Sequence, residues 1–341
     1  MNKARDLTGQ APGGQRIKLA EALPLSTPLV VQIFPVYACN FKCNYCIFQL
    51  DKKERGFISD KAVMSFELYK KVIKELALFP NKIKVLRFVG IGEPLLHPRI
   101  TNMVDYAVFK GVADKVEILT NASPLTKNMS DALISAGLSR LVISLQGLTA
   151  EKYWETSKIK INFKAFIENI KYFFQNKGKA HVYIKIVDSA LDGKEDEAKF
   201  YEIFGKICDS LAIEHIVPIH SGVDYEKALK GKDISQTQFG LPVSELKICP
   251  QPFFHMQINP DGKVVSCYSW DYPKIIGDCN NESVFEIWSG KKFQHFRRKM
   301  LDGRKSVCKI CAECKISTYR MFPEDVISDE DAERLKKFYK F

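Results

Sequence analysis

Three cysteines with short spacing point most directly to chemistry in this chain. Cys39, Cys43 and Cys46 form a C-x3-C-x2-C pattern, and Tyr45 directly precedes the third cysteine. Soft thiolates favour iron–sulfur clusters, and three of them can hold three irons of a [4Fe–4S] cube while the fourth iron stays open to a small molecule. Structural zinc sites usually take paired C-x2-C ligands, and the nearest downstream histidine, His97, lies far along the chain. The pattern therefore predicts an iron–sulfur site with one open iron.

A glycine-rich stretch after the next predicted strand extends this interpretation. The cysteine segment resembles the cluster loop of the radical S-adenosylmethionine (SAM) superfamily, and Gly90-Ile-Gly-Glu-Pro94 resembles the Gly-Gly-Glu-Pro motif of the same superfamily. The resemblance implies that SAM occupies the open iron and that Gly92 and Glu93 hold its ammonium group, while Gly90 lets the backbone approach closely. Alone, such a turn before a helix would be an ordinary loop.

Polar residues at two further strand ends are candidates for contacts with SAM or the substrate. The resemblance implies that Thr120 and Asn121 face the cluster and the substrate, and that Ser144 touches the ribose or carboxylate of SAM. The alternative for each is a polar strand end that bonds to nearby backbone.

Three titratable residues are candidates for catalysis because of their position near strand ends: Lys185, Asp188 and His220. Lys185 stands within an alternating apolar pattern, so its side chain points either into a barrel or outward against a helix. The sequence leaves these two orientations open.

The C-terminal quarter of the chain holds a second cysteine pattern. Cys249, Gly262 and Cys267 follow C-x12-G-x4-C, and two short apolar runs flank Asn259-Pro-Asp-Gly262, which is a strong hairpin signal. Three more cysteines follow with C-x2-C-x2-C spacing: Cys308, Cys311 and Cys314. This order resembles the SPASM and twitch extensions of radical SAM enzymes, and the resemblance implies an auxiliary [4Fe–4S] cluster.

No cysteine follows Cys314, so the pattern resembles the shorter twitch form with one auxiliary cluster. The four cysteines that match the pattern best are Cys249, Cys267, Cys308 and Cys311. Cys314 is an alternative to one of these four, and a structural zinc site is the alternative to the cluster. Cys208 is predicted to be a buried thiol, and Cys279 matches no ligand position of the family.

The segments between these motifs alternate between strand and helix patterns. Such alternation implies parallel pairing with right-handed crossovers, and six strand–helix units predict a partial (β/α)6 TIM-type barrel with the chemistry at the carboxyl ends of the strands. The six predicted strands cover 29–36, 84–89, 116–120, 140–145, 182–187 and 213–217. The resemblance to radical SAM enzymes implies the same α/β barrel core.

Composition shifts and motif positions predict five segments. They are an extended N-terminal arm (1–27), the partial barrel (28–220), a linker (221–247), a small SPASM/twitch cluster domain (248–322) and a C-terminal helix (323–341). The short arm leaves no room for a leader-peptide-binding domain of the kind that peptide-modifying maturases often carry.

Composition favours an ordinary cytoplasmic enzyme without membrane or nucleic-acid partners. No apolar run reaches the ~18 residues of a membrane span, and the N-terminus lacks a signal peptide. The ten cysteines then indicate reduced thiols used as metal ligands. The net charge of +11 is spread along the chain without an RNA-binding motif, and clusters such as Lys291-Lys292 and Arg297-Arg298-Lys299 are interpreted as solvated helix faces. An acidic electron donor such as flavodoxin or ferredoxin, or a phosphorylated or nucleotide-linked substrate, remains compatible with this charge.

The resemblance implies an enzyme that cleaves SAM reductively and uses a 5′-deoxyadenosyl radical to abstract hydrogen. We expect oxidation of a small polar carbohydrate or aminocyclitol, with the auxiliary cluster as the electron acceptor. A peptide-modifying maturase and a redox-neutral epimerase or dehydratase are the alternatives. An iron–sulfur scaffold is disfavoured because it would not need the Gly90–Pro94 motif.

Overall fold

The computed structural model describes residues 4–10, 16–55, 61–220, 222–229, 231–268 and 272–339. Its strands are β1 (Arg5–Asp6), β2 (Val30–Ile33), β3 (Ile83–Phe88), β4 (Ala113–Thr120), β5 (Arg140–Leu145), β6 (His181–Val187), β7 (Ser210–Glu214), β8 (His255–Ile258), β9 (Lys263–Val265) and β10 (Ile275–Asp278). Its α-helices are α1 (Leu19–Ala22), α2 (Phe66–Leu76), α3 (Ile100–Lys110), α4 (Lys127–Ser135), α5 (Ala150–Ser157), α6 (Phe163–Asn176), α7 (Lys194–Phe204), α8 (Tyr225–Leu229), α9 (Gln251–Phe254), α10 (Val284–Ser289), α11 (Lys291–Met300), α12 (Lys309–Glu313), α13 (Ile316–Tyr319) and α14 (Asp329–Lys336).

Strands β2 to β7 pair in sequence order, and every pair among them is parallel. Helices connect these strands, so the predicted partial (β/α)6 barrel is confirmed. Local signals set the helix ends: the Ser65 side chain accepts a hydrogen bond from Leu68 N at 3.2 Å and starts α2, while Gly111 ends α3 with φ 61°.

The second cysteine region extends the same sheet. The predicted hairpin is confirmed as antiparallel β8 and β9, but β8 also pairs in parallel with β2, in the register Val30↔His255 to Ile33↔Ile258. Strand β10 pairs with β9 and ends this side of the sheet, whose full order is β1-β7-β6-β5-β4-β3-β2-β8-β9-β10. The auxiliary region thus covers the backbone edge of β2, which a six-stranded barrel would leave open.

A row of polar residues crosses the sheet at one level. Gln257, Gln32, Arg87, Glu117 and Arg140 are successive register partners on β8, β2, β3, β4 and β5. Side chains at matched positions of parallel strands point to the same face, and four of the five, all except Gln257, line the barrel cavity. The barrel interior is therefore polar at this level, between layers of apolar residues such as Leu119 and Val142.

Several element boundaries differ from the predictions. The last barrel strand lies at Ser210–Glu214, three residues before the predicted start, and the apolar pair Ile216-Val217 lines a cavity after the strand. Helix α7, which precedes that strand, ends at Phe204, because Gly205 follows it. Helix α5 was not predicted, although Thr149 caps it by accepting a hydrogen bond from Lys152 N at 3.1 Å.

The chain termini are more structured than the sequence indicates. Within the predicted extended arm, β1 pairs in parallel with β7 and α1 forms a short helix, while 1–3 and 11–15 lie outside the described residues. The predicted C-terminal helix at 323–341 is shorter, as α14, and 340–341 lie outside the described residues. No helix of the described residues is long and apolar enough to cross a membrane.

Arg297 corrects the interpretation of its cluster as a solvated helix face. It is 2% exposed, and its guanidinium lies 4.0 Å from the centre of the Trp288 ring and 3.8 Å from that of Phe293. Its Nε donates to the backbone oxygen of Pro252 at 2.9 Å, which attaches α11 to the start of β8 through α9. Burial lowers the pKa of Arg297 to about 9. The spacing of charged residues along α11 does not reveal that Arg297 is buried, because the burial comes from the aromatic rings of Trp288 and Phe293 on two helices.

Candidate active site

The first cysteine segment follows the carboxyl end of β2 and is held by the last turn of α5. Lys42 N donates to Ser157 O at 2.8 Å, and Asn44 N donates to Thr156 O at 2.9 Å. The backbone N–H of Phe41 points at Cys39 Sγ, 3.4 Å away. Backbone donors aimed at sulfur stabilise a thiolate, so the loop suits a group that needs ionised cysteines.

Burial and mutual repulsion oppose ionisation of these thiols when no positive charge is present. Burial raises the pKa of Cys39 to about 12 and that of Cys46 to about 11. Burial and then the neighbouring Cys46 and Cys39 raise the pKa of Cys43 well above its ordinary value. Iron bound between them would reverse this balance, since a coordinating thiol is deprotonated outright. The donor set therefore fits a cluster that takes three cysteines from one loop.

Gly90 and Gly92 place the loop after β3 directly against the segment that enters the cysteine loop. Gly92 has φ 155°, and a Cβ there would lie 2.2 Å from Val36 O and 2.9 Å from Ala38 O. A Cβ at Gly90 would lie 2.4 Å from the ring of Phe34. The structure thus uses both glycines for contact between two segments of the chain, in addition to the approach to SAM that the motif implies.

Glu93 joins that loop to the end of β4. Its carboxylate is 2% exposed and accepts hydrogen bonds from Leu95 N at 2.9 Å, Thr120 Oγ1 at 2.6 Å and Asn121 N at 2.7 Å. Burial raises the pKa of Glu93 to about 7, and these three donors act in the opposite direction. A carboxylate has about four acceptor positions, so about one remains for an ammonium group.

Thr120 and Asn121 are brought to the cysteine loop as the motif resemblance implies. Asn121 Nδ2 lies 3.9 Å from Cys39 Sγ and donates to Asn40 Oδ1 at 3.0 Å. The hydroxyl of Thr120 is engaged with Glu93 and accepts from Ala122 N at 2.8 Å. Asn121 therefore contacts the cluster loop, whereas Thr120 supports it from behind.

Tyr45 and Ser144 line a cavity of about 180 Å³ next to the cysteine loop, which we call the upper cavity. Tyr45 donates from its hydroxyl to Gln146 Oε1 at 2.5 Å, which links the loop to the residues after β5. Lys185, Glu214 and Arg320 form part of the same wall. The structure therefore brings the predicted Tyr45, Ser144 and Lys185 together.

A larger space of about 300 Å³, open to solvent, lies within the barrel and is called the barrel cavity here. It shares four wall residues with the upper cavity: Lys185, Glu214, Gln238 and Arg320. The polar row of β2 to β5 forms part of its wall. The two spaces are thus adjacent, so a substrate in the barrel cavity would lie beside a group bound at Tyr45 and Ser144.

Lys185 faces these cavities as part of an ion pair. Its Nζ lies 2.5 Å from Glu214 Oε2, and Glu214 also accepts from Gln238 Nε2 at 2.6 Å and from Tyr183 OH at 3.3 Å. Of the two orientations that the sequence left open, the structure has the interior one. Glu214 itself was missed, although the alternation of Ser210, Ala212 and Glu214 along β7 would have placed it on the inner face.

Asp188 and His220 have other surroundings. Asp188 accepts from Ile216 N at 3.0 Å and lies 3.1 Å from His215 Nδ1, so it connects the end of β6 to the segment after β7. It is not among the residues that line the two cavities. The ring of His220 is buried, and its Nδ1 accepts from Gly222 N at 3.1 Å.

The auxiliary cysteines converge around a small, mainly apolar pocket. Cys249, Cys267, Cys311 and Cys314 line this pocket, together with Gln251, which also lines the barrel cavity. Burial and then the neighbouring Cys314 raise the pKa of Cys249 to about 12.

Cys308 also belongs to the auxiliary group. Its Sγ lies 3.7 Å from Pro273 O, and it is close enough to Cys311 to raise the pKa of that thiol, after burial and Cys267. Four thiols thus line the pocket and Cys308 lies beside one of them, Cys311, so the fourth ligand is either Cys308, as the sequence pattern favours, or Cys314.

The spacing of the thiols bears on the zinc alternative. Four thiolates on one zinc ion, at about 2.3 Å each, would lie within ~4 Å of one another. Among the described residues, no three Cys, His, Asp or Glu side chains are grouped to hold a single metal ion. The metal content of the reconstituted protein distinguishes one zinc ion from a multi-iron cube at each cysteine group.

Family models match two regions of the chain. The model of the radical SAM superfamily matches residues 33–197, and that of the SPASM iron–sulfur cluster-binding domain matches residues 249–315. These ranges contain both cysteine groups and the Gly90–Pro94 loop. The family predicted from the motifs is confirmed.

Individual relatives are distant. A tungsten-containing aldehyde ferredoxin oxidoreductase cofactor-modifying protein from Pyrococcus furiosus is 23% identical over 76% of this chain and 80% of its own length. The crystal structure of BtrN in complex with AdoMet and 2-DOIA aligns with a TM-score of 0.53 at 17% identity, over 86% of this chain and 96% of BtrN. Streptococcus suis SuiB bound to precursor peptide SuiA aligns with a TM-score of 0.56 at 16% identity, over 82% and 69% of the two chains. These structural likenesses establish the fold.

Metal content provides a first test of the two sites. Protein reconstituted with iron and sulfide should contain about eight irons, four for each cube. A Cys39→Ala/Cys43→Ala/Cys46→Ala variant should retain about four, because its auxiliary thiols are intact, and a Cys208→Ala variant should retain all eight. One zinc and no iron in the triple variant would replace the auxiliary cluster with a structural zinc site.

Gly92 provides a test of the packing between the two loops. Gly92→Ala should lower the free energy of unfolding by about 2–4 kcal/mol, since a Cβ would meet the Val36 carbonyl in addition to the strain of positive φ. Gly178→Ala is the matched control, because Gly178 has φ 56° and no atom within 4 Å of its Cβ position. Urea unfolding of both variants should show the larger loss at Gly92, and equal losses would mean that the contact with Val36 is unimportant.

Proposed function

The chain belongs to the radical SAM superfamily and carries a C-terminal SPASM domain, and on this premise we propose that it oxidises a small, polar, hydroxyl-bearing molecule in the barrel cavity. The observation that carries the proposal is the position and character of that cavity. It shares wall residues with the upper cavity, which Tyr45 and Ser144 also line, and it shares Gln251 with the auxiliary cysteine pocket. Its wall is rich in amide, guanidinium and carboxylate groups, which suit a ligand with many hydrogen-bonding groups.

The residues of the first cysteine loop would hold the SAM-binding cluster, and those around the auxiliary pocket would hold the second. When bound, SAM and the two [4Fe–4S] clusters supply hydrogen-atom abstraction from a C–H bond and an acceptor for the electron that remains. Glu93 and the Gly90–Gly92 backbone position the cysteine loop, and these residues would hold SAM beside it. Asn121 orients the cysteine loop through Asn40.

The Lys185–Glu214 pair is proposed to handle the hydroxyl proton. Conversion of a secondary alcohol to a ketone removes one hydrogen atom from carbon, one proton from oxygen and one electron. Glu214 accepts hydrogen bonds from Tyr183 OH, Gln238 Nε2 and Lys185 Nζ, and these donors hold its carboxylate in the cavity wall, where it can receive the hydroxyl proton. Asp188 is not proposed for this role, because its carboxylate is engaged by His215 and by Ile216 N and it lines neither cavity.

Deuterium transfer tests the reaction type. Anaerobic turnover of candidate carbohydrates and aminocyclitols, deuterated at the carbon next to each hydroxyl, should place one deuterium in each 5′-deoxyadenosine, with a product two hydrogens lighter. Glu214→Gln should lower kcat by about 10²-fold or more, since it removes the proton acceptor, and should leave SAM affinity unchanged. Asp188→Asn is the matched control.

Three outcomes would contradict the oxidation. A product isomeric with the substrate would indicate epimerisation, and loss of water would indicate dehydration. Turnover of peptides alone in the same screen would indicate a maturase. Each outcome leaves the superfamily assignment standing.

The electron needed to start the reaction must come from outside, and a basic surface beside the first cysteine loop is proposed to receive its donor. We define the Trp154 patch as Lys42, Trp154, Lys158 and Lys160, which are all exposed. The Trp154 ring is 50% exposed, and the Nζ atoms of Lys158 and Lys160 lie 6.0 and 5.9 Å from its centre. Lys42 stands next to Cys43 in sequence, so the patch is the outer wall of the cluster loop. An acidic flavodoxin or ferredoxin fits this charge and this exposed aromatic anchor.

Reduction kinetics can test the patch separately from the chemistry. Lys42→Glu/Lys160→Glu should slow cluster reduction by reduced flavodoxin by about tenfold or more at low salt, because complementary charge raises the association rate. Reduction by dithionite, a small reductant, should be unchanged in the same variant. Lys291→Glu/Lys292→Glu, with the same change in charge on α11, is the control, and an equal effect there would show that net charge alone matters.

A further inference from the structure

Arg320 is a cation without a counter-ion in the wall between the two cavities. It follows α13, lines both the upper and the barrel cavity, and its Nε is buried without a hydrogen-bond partner. Among the described residues no carboxylate lies within ion-pair distance of its guanidinium. The other cations of the barrel cavity do have such partners: Arg16 with Asp325, Arg87 and Arg140 with Glu117, and Lys185 with Glu214.

Three buried glutamines around the same space also have free acceptor atoms. Gln32, Gln238 and Gln251 are 5%, 8% and 1% exposed, and each lines the barrel cavity. The Oε1 atom of each lacks a hydrogen-bond partner. A buried amide oxygen without a partner is destabilising, so several in one cavity indicate a ligand that supplies donors.

The wall of the barrel cavity also carries more positive than negative side chains. The five cations are Arg16, Arg87, Arg140, Lys185 and Arg320, and the three carboxylates are Glu117, Glu214 and Asp325. The excess is two positive charges: Arg87 and Arg140 share the single carboxylate of Glu117, and Arg320 faces the ligand space without a carboxylate partner among the described residues. A confined cation of this kind raises the affinity for an anion.

We infer that the substrate carries an anionic group, a carboxylate or a phosphoryl group, and that Arg320 binds it while hydroxyl groups of the substrate donate to the three glutamines. The inference rests on the proposed function for one point, that the substrate occupies the barrel cavity. The planar guanidinium can offer two parallel N–H donors to either anion, which fixes the orientation of the substrate. The bound substrate would then present its C–H bond toward the side of Tyr45 and Ser144.

The carboxylate of SAM is the competing partner for Arg320, because Arg320 also lines the upper cavity. The two assignments differ in what remains when SAM is already bound. If Arg320 binds the substrate, its guanidinium is still available to an anion in the SAM-bound protein. If it binds the carboxylate of SAM, the guanidinium is already occupied.

Calorimetric titration of the reconstituted, SAM-bound protein with inorganic phosphate and with acetate, at constant ionic strength, tests the inference. Wild type should bind at least one of the two, and Arg320→Met should weaken that binding about tenfold or more, while Arg320→Lys restores part of it. Preference for phosphate would identify a phosphoryl group, and preference for acetate a carboxylate. Arg298→Met is the matched control, because Arg298 pairs with Asp302 on the surface of α11.

The inference would be overturned if wild type bound neither anion, or if wild type and Arg320→Met bound the anion equally well. If Arg320→Met also lost SAM affinity while its anion binding stayed unchanged, Arg320 would be assigned to SAM. Arg320→Lys retains the charge and provides the comparison if the methionine variant does not fold. Anion binding requires no turnover, so its result stands apart from the success or failure of the oxidation experiment.

Discussion

The pairing of β2 on both of its edges is the constraint on which the two halves of this protein depend. The short segment Val30–Ile33 bonds to β3 on one side and to β8 on the other, in a continuous parallel register. Its carboxyl end leads into the first cysteine loop, and β8 begins a few residues after Cys249 and continues through β9 toward Cys267. One strand therefore sets the separation of the two cysteine groups. A shift of one residue in this pairing would turn Gln32 out of the cavity and its apolar neighbours into it.

Glu93 also fixes the position of the cysteine loop, from its other side. Its buried carboxylate connects the loop after β3 to Thr120 and Asn121, and its own N–H donates to Ala38 O at 2.8 Å. Removal of this carboxylate would leave donors from two loops unsatisfied in a buried region, which costs more than one ordinary hydrogen bond contributes. The role of the motif glutamate is thus partly to hold the cysteine loop in place, in addition to any contact with SAM.

Much of the barrel and of the first site could be predicted from sequence, because the signals are local. The cysteine spacing, the Ser65 cap and the Asn259–Gly262 turn each act over a few residues. The parallel pairing of β8 with β2 could not be predicted, since no local pattern specifies which distant strand covers an edge. Arg297 and Arg320 were missed for the same reason: their burial depends on aromatic rings or cavity walls contributed by remote segments. Glu214 is the exception, because period-two alternation along β7 would have placed it inside the barrel.

The polar interior of the barrel lowers the stability of the folded protein and raises its selectivity among ligands. Apolar residues at the levels of Gln32 and Gln251 would avoid the desolvation cost of unpaired amides, but they would accept any small apolar molecule. Unpaired buried groups discriminate strongly, because a ligand that lacks the matching hydroxyl or charge leaves them unsatisfied in the complex. Such discrimination matters when the chemistry is hydrogen-atom abstraction, because many C–H bonds of a polar molecule are chemically similar. The bond that reacts must then be chosen by position, and the residues that fix position are those of the cavity wall.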